Sequence, residues 1–316
     1  MKNILVITPE MIKSIDKIKL VDGVAEAFKL YSQGMAVNPP RQVFWVNSNW
    51  WGIMTANLPG TGVSVKIVNI IEDNPSRGLP TINGIVAYLD ATTGLPLAII
   101  DAPTLTAYRT AAGSMVSSRL LAPPNPSTLA IIGAGYQSLV HMEFFREIHP
   151  TLETVKVYDI NKSRLNRFLV EAGKIYKKAE KGSDPCSTVR DSDIVLLATT
   201  AREPAIKGGC LTPPVHVISI GVMGPDHREL DEETLSRADV IVVDSLSSVL
   251  EEVGDLRIPI EKGVIGKDEI FEIGELLAGT KQFDRGNKGI TVYKSVGIAV
   301  QDTVIADMLY KMYKNE

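Results

Sequence analysis

Thr128-Leu129-Ala130-Ile131-Ile132-Gly133-Ala134-Gly135-Tyr136-Gln137-Ser138 is the stretch on which the fold turns. A short apolar run meets a Gly-x-Gly turn, and a helical pattern through Leu139, Phe144 and Phe145 follows. Strand, glycine turn and helix start, in that order, are the parts of a dinucleotide site. Gly133 allows the tight turn, and Gly135 lets the backbone approach a pyrophosphate. The free N–H groups of the helix start then meet the phosphate charge. Gly133, Gly135, Tyr136 and Gln137 are therefore the candidate cofactor contacts. Ser138 stands at the third small position, where helix and sheet must pack closely. Similar turns with two glycines also occur in α/β domains that bind no nucleotide, so the flanking sequence has to decide.

Downstream, strands are expected at 154–158, 194–198, 215–220 and 240–243, separated by helical patterns such as 138–148 and 161–178. Repeated β-α organisation implies a mostly parallel, doubly wound sheet of Rossmann type. Asp231-Glu232-Glu233 reads as the acidic start of a helix, where the macrodipole favours negative charge. Asp159 sits at the carboxyl end of the second strand. There it can accept hydrogen bonds from ribose hydroxyls and oppose a 2′-phosphate, which favours NAD(H) and leaves NADP(H) as the alternative. The same residue could be an ordinary strand-end acid, and Lys162 and Arg164 could instead clamp a phosphate. The lysine-rich tract 174–181 reads as a solvated helix face.

Upstream the pattern changes. Residues 15–31 are expected to be helical and 41–46, 62–71, 82–89 and 96–101 to be strands, so an α+β sheet domain precedes the nucleotide-binding part. Leu105, Ala107, Tyr108, Ala111, Ala112 and Met115 then recur at helical spacing. Leu121-Ala122-Pro123-Pro124-Asn125-Pro126 marks the boundary, because closely spaced prolines cannot continue a helix. The division expected is 1–121 with 295–316 returning to it, and 122–294 between them. Three cations stand out in the first part. Lys66 lies in an apolar strand, where a buried ammonium is costly unless partnered; simple solvent exposure is the alternative reading. Arg109 could hold a carboxylate bidentately or make a surface ion pair. Arg41 precedes a strand. Trp45, Trp50 and Trp51 form an aromatic segment that reads as core, subunit interface or pocket wall.

Composition narrows the class. In 316 residues, apolar types make up 45% and charged types 22%, with a net charge of −4, as in globular enzymes with sizeable cores. No basic tract or finger spacing points to nucleic acid, and no apolar run reaches membrane-spanning length. Cys186 and Cys210 lack a companion His/Cys cluster and are expected to be free thiols in a reducing, cytoplasmic setting. No metal-ligand spacing is recognisable, and none is expected to be needed.

The segments Lys66-Ile67-Val68-Asn69, Gly94-Leu95-Pro96-Leu97-Ala98 and Leu105-Thr106-Ala107-Tyr108-Arg109-Thr110-Ala111-Ala112 resemble the ornithine cyclodeaminase/μ-crystallin family. So do Ile132-Gly133-Ala134-Gly135-Tyr136-Gln137, Arg228-Glu229-Leu230-Asp231 and Lys294-Ser295-Val296-Gly297-Ile298-Ala299-Val300-Gln301-Asp302, in the same order. The resemblance implies a homodimer with a substrate-binding and dimerisation domain and an NAD(P)-binding domain. It implies carboxylate binding by Arg41 and Arg109, and a contact or proton transfer by Lys66 at the reacting centre. It also exposes departures. Met223 stands where cyclodeaminases place an aspartate for the distal amine, and Gly52 stands where they place a glutamate. Met223 thereby becomes a candidate substrate contact, and ornithine cyclodeamination is disfavoured. The expected activity is NAD(P)-dependent reduction or oxidation at the α-carbon of a small carboxylate-bearing imino or amino acid. A cyclodeaminase with a replaced carboxylate and a non-catalytic ligand-binding protein are the competing expectations. His227, on the same loop, is a weaker acid/base candidate.

Overall fold

The computed structural model describes residues 4–221, 224–283 and 289–314. The chain forms two compact units, Met1–Ala112 with Ile298–Glu316, and Gly113–Gly297. The first boundary falls inside a helix, ahead of the proline-rich segment.

The first unit opens with β1 (Leu5–Ile7), α1 (Pro9–Lys13) and α2 (Lys17–Ser32). Asp16 caps α2 by accepting the Lys19 N–H. Then come β2 (Gln42–Val46), β3 (Asn49–Asn57), β4 (Val63–Ile70), β5 (Ile82–Leu89) and β6 (Pro96–Asp101), and the start of α3 (Ala102–Leu121). Among the described residues the strands form a six-stranded sheet in the order β1-β6-β5-β4-β3-β2. β1 runs parallel to β6 and the other pairs are antiparallel, so the sheet is mixed. β3 was not expected from the aromatic segment. Its alternation rests on Gly52, Met54 and Ala56 facing inward, a signal the neighbouring tryptophans mask.

The second unit alternates strand and helix: β7 (Thr128–Ile132), α4 (Tyr136–Ile148), β8 (Thr154–Tyr158), α5 (Lys162–Ile175), β9 (Lys178–Lys181), α6 (Pro185–Val189), β10 (Ile194–Leu197) and β11 (Val215–Ser219). It continues with α7 (Glu232–Ser236), β12 (Ala238–Val243), α8 (Leu246–Glu252), α9 (Gly254–Glu261), β13 (Ile270–Glu272), α10 (Ile273–Ala278) and β14 (Ile290–Lys294). These strands form a parallel sheet in the order β13-β12-β14-β11-β10-β7-β8-β9. Chain order runs outward from β7 through β8 to β9, then jumps back to β10. The carboxyl ends of β7 and β10 are thus the topological switch point, where open α/β sheets bind ligands. The β10 run Ile194–Leu197 and the β11 run are buried on both faces, as a doubly covered parallel sheet requires.

The chain then returns to the first unit with α11 (Ala299–Tyr313). α11 lies against α2 and against β3, β4 and β5. Leu20, Val21, Val24 and Phe28 of α2 and Val300, Ile305 and Leu309 of α11 are fully buried. A Cβ on Gly23 would meet Val304 Cγ1 at 2.9 Å, so the two helices approach too closely for any side chain there. Burial of each leucine-sized side chain in this layer contributes roughly 1.5–3 kcal/mol.

Two expectations are corrected. Residues 178–181 are not a helix face: they form β9, paired with β8 at the sheet edge. An edge strand carrying lysines resists pairing with other chains and shows no apolar alternation for a sequence reading to detect. Cys186 and Cys210 are not free thiols but a disulfide with Cα atoms 5.2 Å apart. α6 and the turn Gly208–Cys210 fold onto each other, a proximity that sequence spacing does not reveal.

Candidate active site

In the first unit, β4 presents Ser64, Lys66 and Val68 on its helix-covered face, so alternation turns Lys66 inward. Lys66 is 1% exposed, which overturns the solvent-exposure reading. Its Nζ donates to Asp302 Oδ1 at 3.0 Å and lies 2.8 Å from Oδ2. Arg109, from α3, donates Nε to the same Oδ1 at 3.1 Å and Nη1 to Gln301 Oε1 at 3.2 Å. Gln301 also accepts the Ile298 N–H and returns a bond from Nε2 to the Arg109 carbonyl. One carboxylate at the start of α11 therefore gathers two cations from β4 and α3. Arg41, half buried before β2, adds a third positive charge that acts on Lys66. Burial pushes the Lys66 ammonium down to about 7; Asp302 opposes the shift, and Arg109 and Arg41 reinforce it. A buried group with a pKa near neutrality can both give and take a proton. Two cations on one carboxylate leave an excess of positive charge that suits an anionic ligand.

In the second unit the glycine turn has the geometry its sequence implied. Gly133 adopts φ +97°, and a Cβ there would meet the Ala198 carbonyl oxygen at 2.4 Å. Only glycine fits. Around Gly135 nothing lies within 4 Å of a built Cβ, which leaves open space over the turn. Gly135 is also the N-cap of α4, and no side chain caps the helix. The uncapped amides and the open space fit a pyrophosphate. Tyr136 and Gln137 occupy the first turn; Tyr136 is exposed, and Gln137 Oε1 is buried without a hydrogen-bond partner. Ser138 is fully buried, in keeping with its place at the third small position. Asp159 follows β8 and accepts from the Ala134 and Asn161 amides, both at 2.7 Å, and from Arg164. Burial pushes its carboxyl up, but Arg164 and these amides outweigh it and hold the group below its ordinary value.

A buried cluster that sequence reasoning left without a role lies at the ends of β10, β11 and β14. Glu229 accepts from the Thr199 amide and hydroxyl through Oε1, and from Ser219 Oγ and the Gly221 amide through Oε2. Lys294 donates to Ser219 Oγ and the Gly221 carbonyl and pairs with Asp255 at 3.0 Å. Asp255 in turn accepts the Glu229 and Leu230 amides. Glu229, Lys294 and Asp255 are all fully buried. Burial pushes the Glu229 carboxyl up, with Lys294 opposing. The cluster fixes the loops that follow two neighbouring strands at their carboxyl ends. The Arg228-Glu229-Leu230 and Lys294-Ser295-Val296-Gly297 segments, which carry part of the family resemblance, were the sequence signal for it. Met223 lies outside the described residues; His227 is half buried on the loop that follows it.

The profile of the ornithine cyclodeaminase/mu-crystallin family matches residues 2–316. An alanine dehydrogenase of Archaeoglobus fulgidus is 31% identical, over 97% of this chain and 94% of its own. The structure of the Thermococcus litoralis Δ1-pyrroline-2-carboxylate reductase in complex with NADH and L-proline superposes with a TM-score of 0.93, at 33% identity, covering 99% of this chain and 98% of that one. An archaeal alanine dehydrogenase dimer with bound NAD superposes with a TM-score of 0.91, at 32% identity, covering 99% and 97% of the two chains.

Proposed function

Since the chain belongs to the ornithine cyclodeaminase/mu-crystallin family, we infer that it is an NAD(H)-dependent oxidoreductase acting at the α-carbon of a small amino or imino acid. The observation that carries this reading is the pair Lys66 and Arg109, buried together on Asp302, in a chain that also carries the uncapped glycine turn. In the assignment we propose, Arg109 and Arg41 hold the substrate carboxylate. Asp302 and Gln301 take Nε and Nη1 of Arg109, which leaves Nη2 for the ligand. Bound NADH supplies the hydride. In the reductive direction the Lys66 ammonium protonates the imine nitrogen as its carbon accepts that hydride, and Lys66 is then reprotonated from solvent. Oxidation runs the same transfers backward, with neutral Lys66 taking the proton. Gly133, Gly135, Tyr136 and Gln137 hold the cofactor pyrophosphate, and Asp159 stands beside the adenosine ribose.

We further propose a substrate whose side chain carries no charge. Gly52 supplies no carboxylate, and the Trp50 ring fills the space beside it, so that a Cβ there would lie 2.4 Å from that ring and displace it. Without that acid, and with Met223 in place of the amine-binding aspartate, ornithine cyclodeamination loses its machinery. The outward face of the first unit's sheet, rich in isoleucine and tryptophan, supports a homodimer. No helix among the described residues is long and apolar enough to cross a membrane.

The deciding experiment follows NADH absorbance with Δ1-pyrroline-2-carboxylate and with pyruvate plus ammonia, for the native protein and Lys66→Met. The native protein is expected to turn over at least one of them, and Lys66→Met to lose about a hundred-fold or more in kcat, within the range for general acid catalysis. Unchanged turnover in Lys66→Met removes the proposed proton donor. NADH binding without turnover across a broad imino-acid and amino-acid screen favours a binding protein instead.

A further inference from the structure

Glu229 ties two loops of the nucleotide-binding sheet to each other from a fully buried position. Its Oε1 accepts the Thr199 amide at 2.7 Å and the Thr199 hydroxyl at 2.9 Å, both from the loop that follows β10. Its Oε2 accepts Ser219 Oγ at 2.7 Å, from the end of β11, and the Gly221 amide at 2.9 Å, just beyond it. The segments meet without spare room. A Cβ on Gly221 would lie 2.2 Å from the Thr199 carbonyl oxygen and 2.4 Å from Glu229 Oε1. The loop after β10 also bears on the glycine turn, since a Cβ on Gly133 would meet Thr199 Cγ2 at 3.2 Å besides the Ala198 carbonyl. Lys294 braces the second loop through Ser219 Oγ and the Gly221 carbonyl, and Asp255 holds the Glu229 amide.

We propose that Glu229 is a positioning residue for the nicotinamide half of the dinucleotide, acting through the loops after β10 and β11. A dinucleotide bound at a topological switch point sends one mononucleotide half to each side. With the adenosine half assigned to β8, the other half falls to β10 and β11, on the far side of β7. Glu229 is too deeply buried to meet a ligand, so its effect passes through the Thr199 and Gly221 backbone. The task requires a carboxylate, because only a group with acceptors on both oxygens can hold one backbone amide on each. Holding both loops before the ligand arrives is preorganisation, which lowers the ordering cost of binding. The proposal rests on the nucleotide-binding reading above and adds to it the residue that shapes one half of the site.

Calorimetric titration of the full chain with NADH and with ADP, which lacks the nicotinamide half, tests the two readings separately. In Glu229→Gln the –NH2 confronts either the Thr199 or the Gly221 amide, whichever way the side chain turns, so one loop loses its tie. The variant is expected to weaken NADH at least ten-fold, about 1.4 kcal/mol, while ADP shifts by less than about three-fold. Ser219→Ala removes one donor from Oε2 at a position that no ligand reaches, and serves if Glu229→Gln does not fold. It is expected to weaken NADH about three-fold or more and to leave ADP unchanged. A role confined to stability would lower the fraction of chains that bind and leave both Kd values as they were, which overturns the proposal. Equal weakening of NADH and ADP overturns it too. Native protein that binds neither ligand overturns the underlying nucleotide-binding reading instead.

Discussion

Asp302 does two opposite things to Lys66. Its charge favours the ammonium, yet the first turn of α11 that carries it lies over β4, where Lys66 is buried. Burial wins, and Lys66 comes to about 7. If Lys66 donates the proton in imine reduction, reductive kcat/KM falls as pH rises through about 7. Asp302→Asn keeps an acceptor in place but removes the negative charge that opposes the burial of Lys66 and the repulsion from Arg109 and Arg41. The falling limb is then expected to move down by about a pH unit or more, a ten-fold loss on its alkaline side. A purely structural role for Asp302 would lower activity evenly at all pH values, so an unmoved limb rejects the positioning role. The sequence made Lys66 conspicuous as a cation in an apolar strand. It did not show Asp302 as the partner, because α11 and β4 lie at opposite ends of the chain and only the fold brings them together.

At the scale of elements, α3 carries a pattern of its own in the second unit. Ser114 Oγ bonds His141 Nε2, Ser117 Oγ bonds His216 Nε2, and Ser118 Oγ bonds His149 Nε2. The hydroxyls of these small residues each meet an imidazole nitrogen. His141 Nδ1 faces the Gln137 carbonyl and so carries the proton, which leaves Nε2 to accept from Ser114. Burial pushes both His141 and His149 down to about 4, the Gln137 carbonyl opposing in the first and Arg119 reinforcing in the second. The unfolded chain binds protons on both histidines from about pH 6.5 downward, while the native state does not until about pH 4. Stability is therefore complete above about 6.5 and is lost as pH falls through that window. For His141 the loss is on the order of 3 kcal/mol by pH 4, and the partly exposed His149 adds less. Urea titrations of His141→Gln and native protein from pH 8 to pH 4 check this. The substitution should lower stability at pH 8 yet flatten the decline, and parallel curves would trace the acid sensitivity to carboxylates. The unbroken apolar run of β10 and the helical period of α5 were legible because sequence pattern and burial agree. β9 and the disulfide were not, since neither an exposed edge strand nor a fold-back contact leaves a periodic trace.

At the scale of the molecule, the first unit presents a sheet whose outer face carries exposed apolar side chains, Ile67 and Ile85 among them. β4 turns Lys66 and Val68 to α11 and therefore turns Val65 and Ile67 outward. Ile53, Ile67 and Ile85 stand in register across β3, β4 and β5, and Ile67 and Ile85 are 36% and 45% exposed. One step along, Trp51 pairs with Asn69 and Asn69 with Asn83. Trp51 Nε1 and Asn69 Oδ1 are buried without a hydrogen-bond partner, and Phe44 stacks on Trp51 with centroids 6.1 Å apart. A contiguous apolar face edged by unsatisfied polar atoms is what an association surface looks like before its partner is added. The sequence announced a tryptophan cluster with three readings. Register removes the core reading for Trp51, because the strand that sends Met54 inward sends Trp51 to the opposite face. If a second copy covers this face, Ile67→Asp places a charge amid the isoleucines without disturbing Lys66 on the opposite side. The variant is expected to weaken self-association a hundred-fold or more, about 2.7 kcal/mol, and to run as a folded monomer by light scattering at micromolar concentration. Native protein that is itself monomeric there, or an Ile67→Asp dimer of undiminished affinity, would place the subunit contact elsewhere on the molecule.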